Sequence, residues 1–260
     1  MIGMAFESFI TEAIKVRGTI ALWLAVIVPL LAVVVFAVSL SSREASFGMS
    51  WFQLKQTGLG LWFIFFMPVL IFFEAAFLAS LEHEADQWKQ LLTFPIARWI
   101  HFATKMAVCA LLLSASFGLF VMGFTADLII IGDRRNLPFG LPWRELLLTT
   151  GAAFLASLPL VAIHTWLSIR FAGIVRAIGV GAAALTLGLM LIGTRGTLHR
   201  VFEASVLWWY PWTLPLRTLD TRQGLSFTHL ASTAVIGSIG GVLLGALVCW
   251  DLARREEIGQ

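Results

Sequence analysis

Residues 19–40 read TIALWLAVIVPLLAVVVFAVSL, an apolar run without a single charged side chain. A helix rises about 1.5 Å per residue, so about 20 such residues cross the roughly 30 Å hydrocarbon core of a bilayer. The run is too long for the apolar core of a cleaved signal peptide, and Glu7 and Glu12 precede it where such a peptide is basic. Five more long apolar runs follow, at Leu59–Leu81, Met106–Ala126, Leu146–Ser168, Ile174–Gly193 and Ala231–Trp250, the second run of the six carrying Glu74 and the fifth Arg176. Leu128–Ile131 can extend the third past Asp127. Strands of alternating hydrophobicity are absent, which argues against a β-barrel. The expectation is an all-α polytopic membrane protein with six transmembrane helices, formed as a single domain over residues 1–260.

Composition points the same way. Of the residues, 59% are hydrophobic and 13% charged, with 11 Trp and 21 Phe against one Tyr. A soluble domain carries about 25% charged residues. The net charge of +3 is spread along the chain and forms no basic patch for a nucleic acid. Cys109 and Cys249 both sit in apolar runs, so neither a disulfide framework nor a thiolate metal site is expected. Six spans place both termini on one side. The 18 Lys and Arg divide evenly between the two sides, so the positive-inside rule does not choose the orientation.

Three polar segments look organised. In residues 1–18, Ile2, Phe6, Phe9, Ile10, Ala13 and Ile14 recur at helical spacing, with Glu7, Ser8, Thr11, Glu12 and Lys15 on other faces. This pattern predicts an amphipathic helix lying in the membrane interface. Between the second and third runs, Leu81, Ala85, Trp88 and Leu92 share one helical face. Glu82, Glu84, Asp86, Lys89 and Gln90 occupy the rest, and Pro95 stops the helix. The third segment, 194–230, is too long for a tight turn. Its aromatic stretch Trp208, Trp209, Tyr210, Pro211 and Trp212 is either an interfacial belt on a loop or part of a re-entrant hairpin dipping back into the bilayer.

None of Lys15, Lys55, Lys89 and Lys105 follows a glycine, so a Walker A phosphate loop is absent and the chain does not bind ATP in that way. His83-Glu84 begins like a zinc-protease helix, but Gln87 stands where the second His is required. Gly237-Ser238-Ile239-Gly240 has the wrong order for an intramembrane serine protease, and no His follows it. Ionisable residues inside spans point to function by default. Glu74 either makes a hydrogen bond inside the bundle or meets cargo. His164 either donates to a carbonyl freed by Pro159 or has a substrate or proton role. Gly237, Gly241 and Gly245, four residues apart, favour close helix packing, within the chain or between two chains. Pro29, Pro68 and Pro159 should bend their spans.

The segment from Glu82 to Lys105 resembles the first cytoplasmic loop of the type 2 ABC exporter permeases, the ABC-2 family. It looks most like the branch of bacitracin and lantibiotic immunity permeases. Glu84, Trp88, Lys89, Leu91, Leu92, Pro95, Arg98 and Lys105 match that pattern, whereas Gln87 stands where many members have glycine. The resemblance is tight over these residues and architectural elsewhere.

The resemblance implies an export permease in the cytoplasmic (inner) membrane, with the loop and both termini in the cytoplasm. Residues 82–98 would be a coupling helix docking onto two copies of a separate ABC ATP-binding subunit through Glu82, Glu84, Asp86, Gln87, Trp88, Lys89, Pro95 and Arg98. ATP and Mg would be bound by that partner, and no cofactor by this chain. A second permease, identical or related, would complete the dimer, with membrane lipid around it and no nucleic acid. Phe66, Phe73, Glu74 and His164 become candidate liners of a path for an antimicrobial peptide, lipid or drug, and Gly237, Gly241 and Gly245 candidate packing residues. The alternative is an intramembrane enzyme, or a non-transporting scaffold or sensor, built on Glu74 and His164.

Overall fold

The computed structural model describes residues 2–41, 50–84, 98–134, 140–171, 173–193, 210–219 and 227–258. The described elements are α1 (Ile2–Lys15), α2 (Ile20–Ser41), α3 (Trp51–Leu61), a π turn (Trp62–Phe66) and α4 (Met67–Glu84). They continue with α5 (Arg98–Arg134), α6 (Trp143–Arg170), α7 (Ile174–Gly193), a 3₁₀ segment (Leu214–Leu219) and α8 (Phe227–Ile258). Among the described residues there is no strand.

Five stretches are long and apolar enough to cross a membrane: Ile20–Leu40, Trp51–Ser80, Trp99–Asp133, Trp143–Arg170 and Phe227–Arg254. The run expected at Ile174–Gly193 forms α7, whose apolar part, Ile174–Met190, is shorter than the other five. Several helices outrun their apolar sequences. The second starts at Trp51 rather than Leu59, and the third extends from Arg98 to Arg134, past Asp127.

The second span is the centre of the bundle. Of its apolar window 67% is buried inside the protein, against 22% for the last span. It begins with a capping box: the Gln53 N–H donates to Ser50 Oγ, and the Ser50 N–H donates to Gln53 Oε1 at 2.9 Å. This satisfies two donors that the first helical turn leaves open. Pro68 then threatens the rod, because its ring clashes with the carbonyl four residues earlier and it has no N–H to donate. The helix widens just before it. Across Trp62–Phe66 the turn is a π turn, closed by the Met67 N–H donating to the Trp62 carbonyl.

Aromatic rings join the neighbouring helices to this rod. Trp62 stacks on Phe120 at 4.6 Å between centroids and meets Phe117 edge-on at 5.7 Å. Phe120 stacks on Phe124, which meets Phe36 of α2 edge-on at 4.8 Å. Phe117 continues the chain to Phe154 of α6. Each such pair contributes about 0.5–1.5 kcal/mol beyond its buried area. Small polar side chains bond to nearby carbonyls, as a medium without water requires. The Ser116 hydroxyl lies 2.9 Å from the Ala25 carbonyl on α2 and 3.0 Å from that of Leu112 on its own helix.

The glycine stripe of the last span faces inward. A Cβ on Gly237 would collide with the backbone of Leu155 and Ala156, and one on Gly241 would lie 2.6 Å from Leu158 Cβ. Gly245 meets Met106 of α5 instead. The other side of α8, including Val242 and Leu247, is exposed and suits lipid. Overpacking of this kind costs about 1–3 kcal/mol. Gly241→Leu should therefore lower the midpoint of thermal unfolding in detergent, while Gly151→Ala, where a Cβ meets nothing within 4 Å, should leave it within a degree or so. Equal midpoints would refute the close α6–α8 approach.

Candidate functional site

The amphipathic first helix is set across the start of α2 by a tight turn. Gly18 takes φ +83°, a conformation that costs a side-chain-bearing residue energy. Thr19 donates through both its N–H and its hydroxyl to the Val16 carbonyl. On α1, Glu12 and Val16 are buried, Phe9 and Ala13 are half-buried against the bundle, and Phe6, Ile10 and Ile14 stay exposed. The apolar residues that periodicity assigns to one face therefore divide: some pack on protein, and the rest present an apolar edge outward.

Beneath Glu12 lies Lys105 of α5. Its Nζ is 3.4 Å from each Glu12 carboxylate oxygen and 3.1 Å from the Leu78 carbonyl of α4. The two side chains are only 4% and 3% exposed. Removing one partner of such a pair ordinarily costs about 3–5 kcal/mol, because the other charge is left buried alone. Glu12 is also 3.5 Å from Lys15, whose side chain is 34% exposed. Three elements thus meet at one ammonium: α1, the last turns of α4 and the first turns of α5.

Between those ends lies the loop singled out in the sequence. Asp86, Gln87, Trp88, Lys89 and Pro95 lie outside the described residues, as do the side chains of Glu82, Glu84 and Arg98, which fall in the last turn of α4 and at the start of α5.

Midway along the bundle, Phe72 of α4 packs on His164 of α6 at 5.9 Å, and Trp212 meets the same imidazole edge-on at 5.4 Å. Helix α7 comes close through Gly181, where a Cβ would lie 2.9 Å from both His164 and Phe72. Tyr210 stacks on Trp212, and its hydroxyl donates to the Ala184 carbonyl at 2.6 Å. Burial pushes that hydroxyl up from its ordinary pKa. His164 is buried, and its Nε2 has no hydrogen-bond partner, nor has Trp212 Nε1.

Glu74 is fully buried, and neither carboxylate oxygen has a partner. Phe72, two positions earlier, faces His164. Two residues are about 200° of helix, so Glu74 and His164 point to different sides of α4 and make no acid–base pair. Phe66 is buried in the core. Phe73 is half-buried and stacks on Phe77. With Leu61, Phe65 and Val69, Phe73 and Phe77 form an apolar edge along the central rod, one that does not include Phe66.

At the other end of that rod stands a pair that hydropathy does not announce. Lys55 is 2% exposed and lies 2.8 Å from Glu145 of α6. The Gln56 amide donates to the Leu219 carbonyl at 2.8 Å. The available signal was that an isolated Lys beside an apolar run must find a carboxylate if the run is buried.

A family model described as ABC-2 family transporter protein matches residues 8–188. No curated protein and no solved structure matches the chain.

A buried polar group without partners costs about 1–3 kcal/mol relative to an apolar one of the same shape. Glu74→Met should therefore leave the thermal midpoint in detergent unchanged or raise it. A fall of several degrees would mean that the carboxyl is held by partners after all.

Proposed function

Since the chain belongs to the ABC-2 family of transporter proteins, we propose that it is the membrane-spanning permease subunit of an ATP-driven exporter. The observation that carries this reading is the extent of the match. Residues 8–188 run from α1 through most of α7 and include the whole segment between α4 and α5. The chain has no phosphate-binding loop of its own. Power then comes from a separate ATP-binding subunit, present in two copies and carrying ATP and Mg.

In this reading residues 82–98 form the coupling helix in the cytoplasm. Glu82, Glu84, Asp86 and Lys89 steer docking by charge, and Trp88 anchors it. Both termini are cytoplasmic, and α7 is the fifth of six spans. Two permease chains, identical or related, enclose the path in the cytoplasmic membrane. The apolar edge bearing Phe65, Phe73 and Phe77 suits an amphipathic or hydrophobic cargo, such as an antimicrobial peptide, a lipid or a drug.

The contact between Trp212 and His164 supports a re-entrant 194–230 segment. His164 stands 21 residues past Trp143, about 30 Å along α6 at 1.5 Å per residue. An aromatic that reaches it has dipped well below the outer end of that helix.

Affinity purification of the tagged chain from its native membranes in mild detergent should bring down an ATP-binding protein in stoichiometric amount. Replacing Glu84 and Trp88 together with Ala should remove that protein while the permease stays monodisperse. Loss of an interface anchor costs about 2 kcal/mol, roughly thirty-fold in Kd. A chain that purifies alone, or a double variant that still binds and transports normally, would overturn the docking assignment.

Once a cargo is transported in vesicles, Phe73→Ala and Glu74→Ala should each lower its rate several-fold without loss of ATPase binding. Unchanged transport in both would remove these residues from the path.

A further inference from the structure

His164 and Trp212 touch, and each keeps a buried nitrogen without a hydrogen bond. His164 is 1% exposed and Trp212 9%, and neither His164 Nε2 nor Trp212 Nε1 has a partner among the described residues. Their rings meet edge-on with centroids 5.4 Å apart. Packing alone asks for neither nitrogen. Phe72, an all-carbon ring, lies against the same imidazole at 5.9 Å. A buried indole N–H ordinarily finds an acceptor, and a buried polar group left unpaired bears its full desolvation penalty. Two such groups on one pair of touching rings point to a shared partner.

The surroundings hold both rings in place. The Thr213 and Leu214 N–H groups donate to the Tyr210 carbonyl at 3.0 and 3.1 Å, so a tight turn sets the Trp212 side chain. The Tyr210 hydroxyl donates to the Ala184 carbonyl at 2.6 Å, and its ring stacks on Trp212 at 5.1 Å. Two glycines on α7, one on either side of Ala184, bring that helix in. A Cβ on Gly188 would lie 3.2 Å from the Tyr210 ring, and one on Gly181 2.9 Å from His164 Cε1, the atom bonded to Nε2. His164 stands six residues before the end of α6 and Gly181 seven after the start of α7, about 9 and 10 Å from those ends. Hydrocarbon at such a depth offers no partner to a nitrogen, so the partner is a bound group.

The chemistry of the two nitrogens defines that group. An indole N–H only donates, so the partner must accept, which no cation can do. The imidazole Nε2 donates in one tautomer and accepts in the other. A hydroxyl oxygen, which both accepts and donates, answers either tautomer. Phe72, Tyr210 and Gly181 bring no positive charge to balance an anion. We propose that His164 Nε2 and Trp212 Nε1 form a binding site for one hydroxyl oxygen inside the bilayer, supplied by a water molecule or by the alcohol group of an amphiphile. The site rests on this chain's geometry alone. Only the identification of such an amphiphile as cargo rests on the permease reading.

The test is nuclear magnetic resonance of the full chain, labelled with nitrogen-15 on its indoles, in nanodiscs of phosphatidylcholine, a lipid without a free hydroxyl. Trp212 is assigned as the indole signal that Trp212→Phe removes while the remaining indole signals stay in place. In the wild-type chain its N–H proton should show an Overhauser cross-peak to water. Added dodecanol should replace this cross-peak by one to the alcohol's methylene protons if an amphiphile fills the site, and should leave it intact if only water does. Either result upholds the hydroxyl site and names its source. His164→Leu should abolish the cross-peak, whereas His164→Gln, whose amide can again bond the oxygen, should keep it. The site would be overturned by a wild-type signal with no cross-peak to water or alcohol, or by a cross-peak that persists unchanged in folded His164→Leu. Loss of the water cross-peak to dodecane as readily as to dodecanol would overturn it too. The first of these is read on the wild-type chain, so a poorly folding His164→Leu does not shield the proposal. No ATPase or nucleotide is present, so this test and the copurification can fail independently.

Discussion

A proline in the most buried helix of a membrane bundle removes one hydrogen bond and crowds a carbonyl that no water can reach. The π turn over Trp62–Phe66 is how this chain accommodates Pro68, and much of the remaining structure depends on it. One extra residue in a turn rotates everything beyond it by about 100°. That rotation decides that Phe72 meets His164 and that Phe73 lies on an outward edge. Trp62, inside the wide turn, stacks on Phe120 and so fixes the central rod against α5. Backbone satisfaction, aromatic packing and the placement of the polar residues are consequences of one local event.

The ends of the same rod are held differently. Near its start, Lys55 is bound tightly by Glu145, and Gln56 holds the Leu219 carbonyl. Near its other end, Lys105 shares loose contacts with Glu12 and the Leu78 carbonyl. The Lys55 pair is short but open to solvent on one side, since the Glu145 side chain is 51% exposed, whereas the Lys105 pair is longer and almost wholly buried, where a stranded charge costs more. The two ends are therefore held by contacts of different character, one short and partly solvated, the other longer and buried. A transporter driven from one side has a physical use for that asymmetry.

The apolar runs were legible because lipid tolerates apolar side chains without any tertiary information, and every one of them became helix. The ends were not. Gln53, Lys55 and Gln56 break the hydropathy before Leu59, yet the helix starts at Trp51, since their polar groups find Ser50, Glu145 and Leu219. Lys105 likewise precedes the run that begins at Met106 and lies well inside α5. Periodicity grouped the apolar residues of α1 correctly but not their partners: Phe9 and Ala13 face protein, while Phe6, Ile10 and Ile14 do not. Glu74 and His164 were visible as costly residues in spans. That they face different sides of α4 was hidden, because it depends on the π turn, which leaves no hydropathy signal.

Helix association inside a membrane has little hydrophobic drive, because lipid tails solvate an apolar face as well as another helix does. What remains is close van der Waals contact, and it is unevenly distributed here. Gly237 and Gly241 bring α8 onto the backbone of α6, and Gly181 brings α7 onto Phe72 and His164. Helices joined at backbone distance have no soft side-chain layer along which to slide, so α6, α7 and α8 form the stiff part of the bundle together with the middle of α4. The first helix has no such seam. Among its described residues it rests on the bundle through half-buried Phe9 and Ala13 and through the buried contact of Glu12 with Lys105. A displacement at the ends of α4 and α5 therefore reaches α1 through side chains and a charge contact rather than through backbone, and this difference follows from where the close-packed glycines are and where they are not.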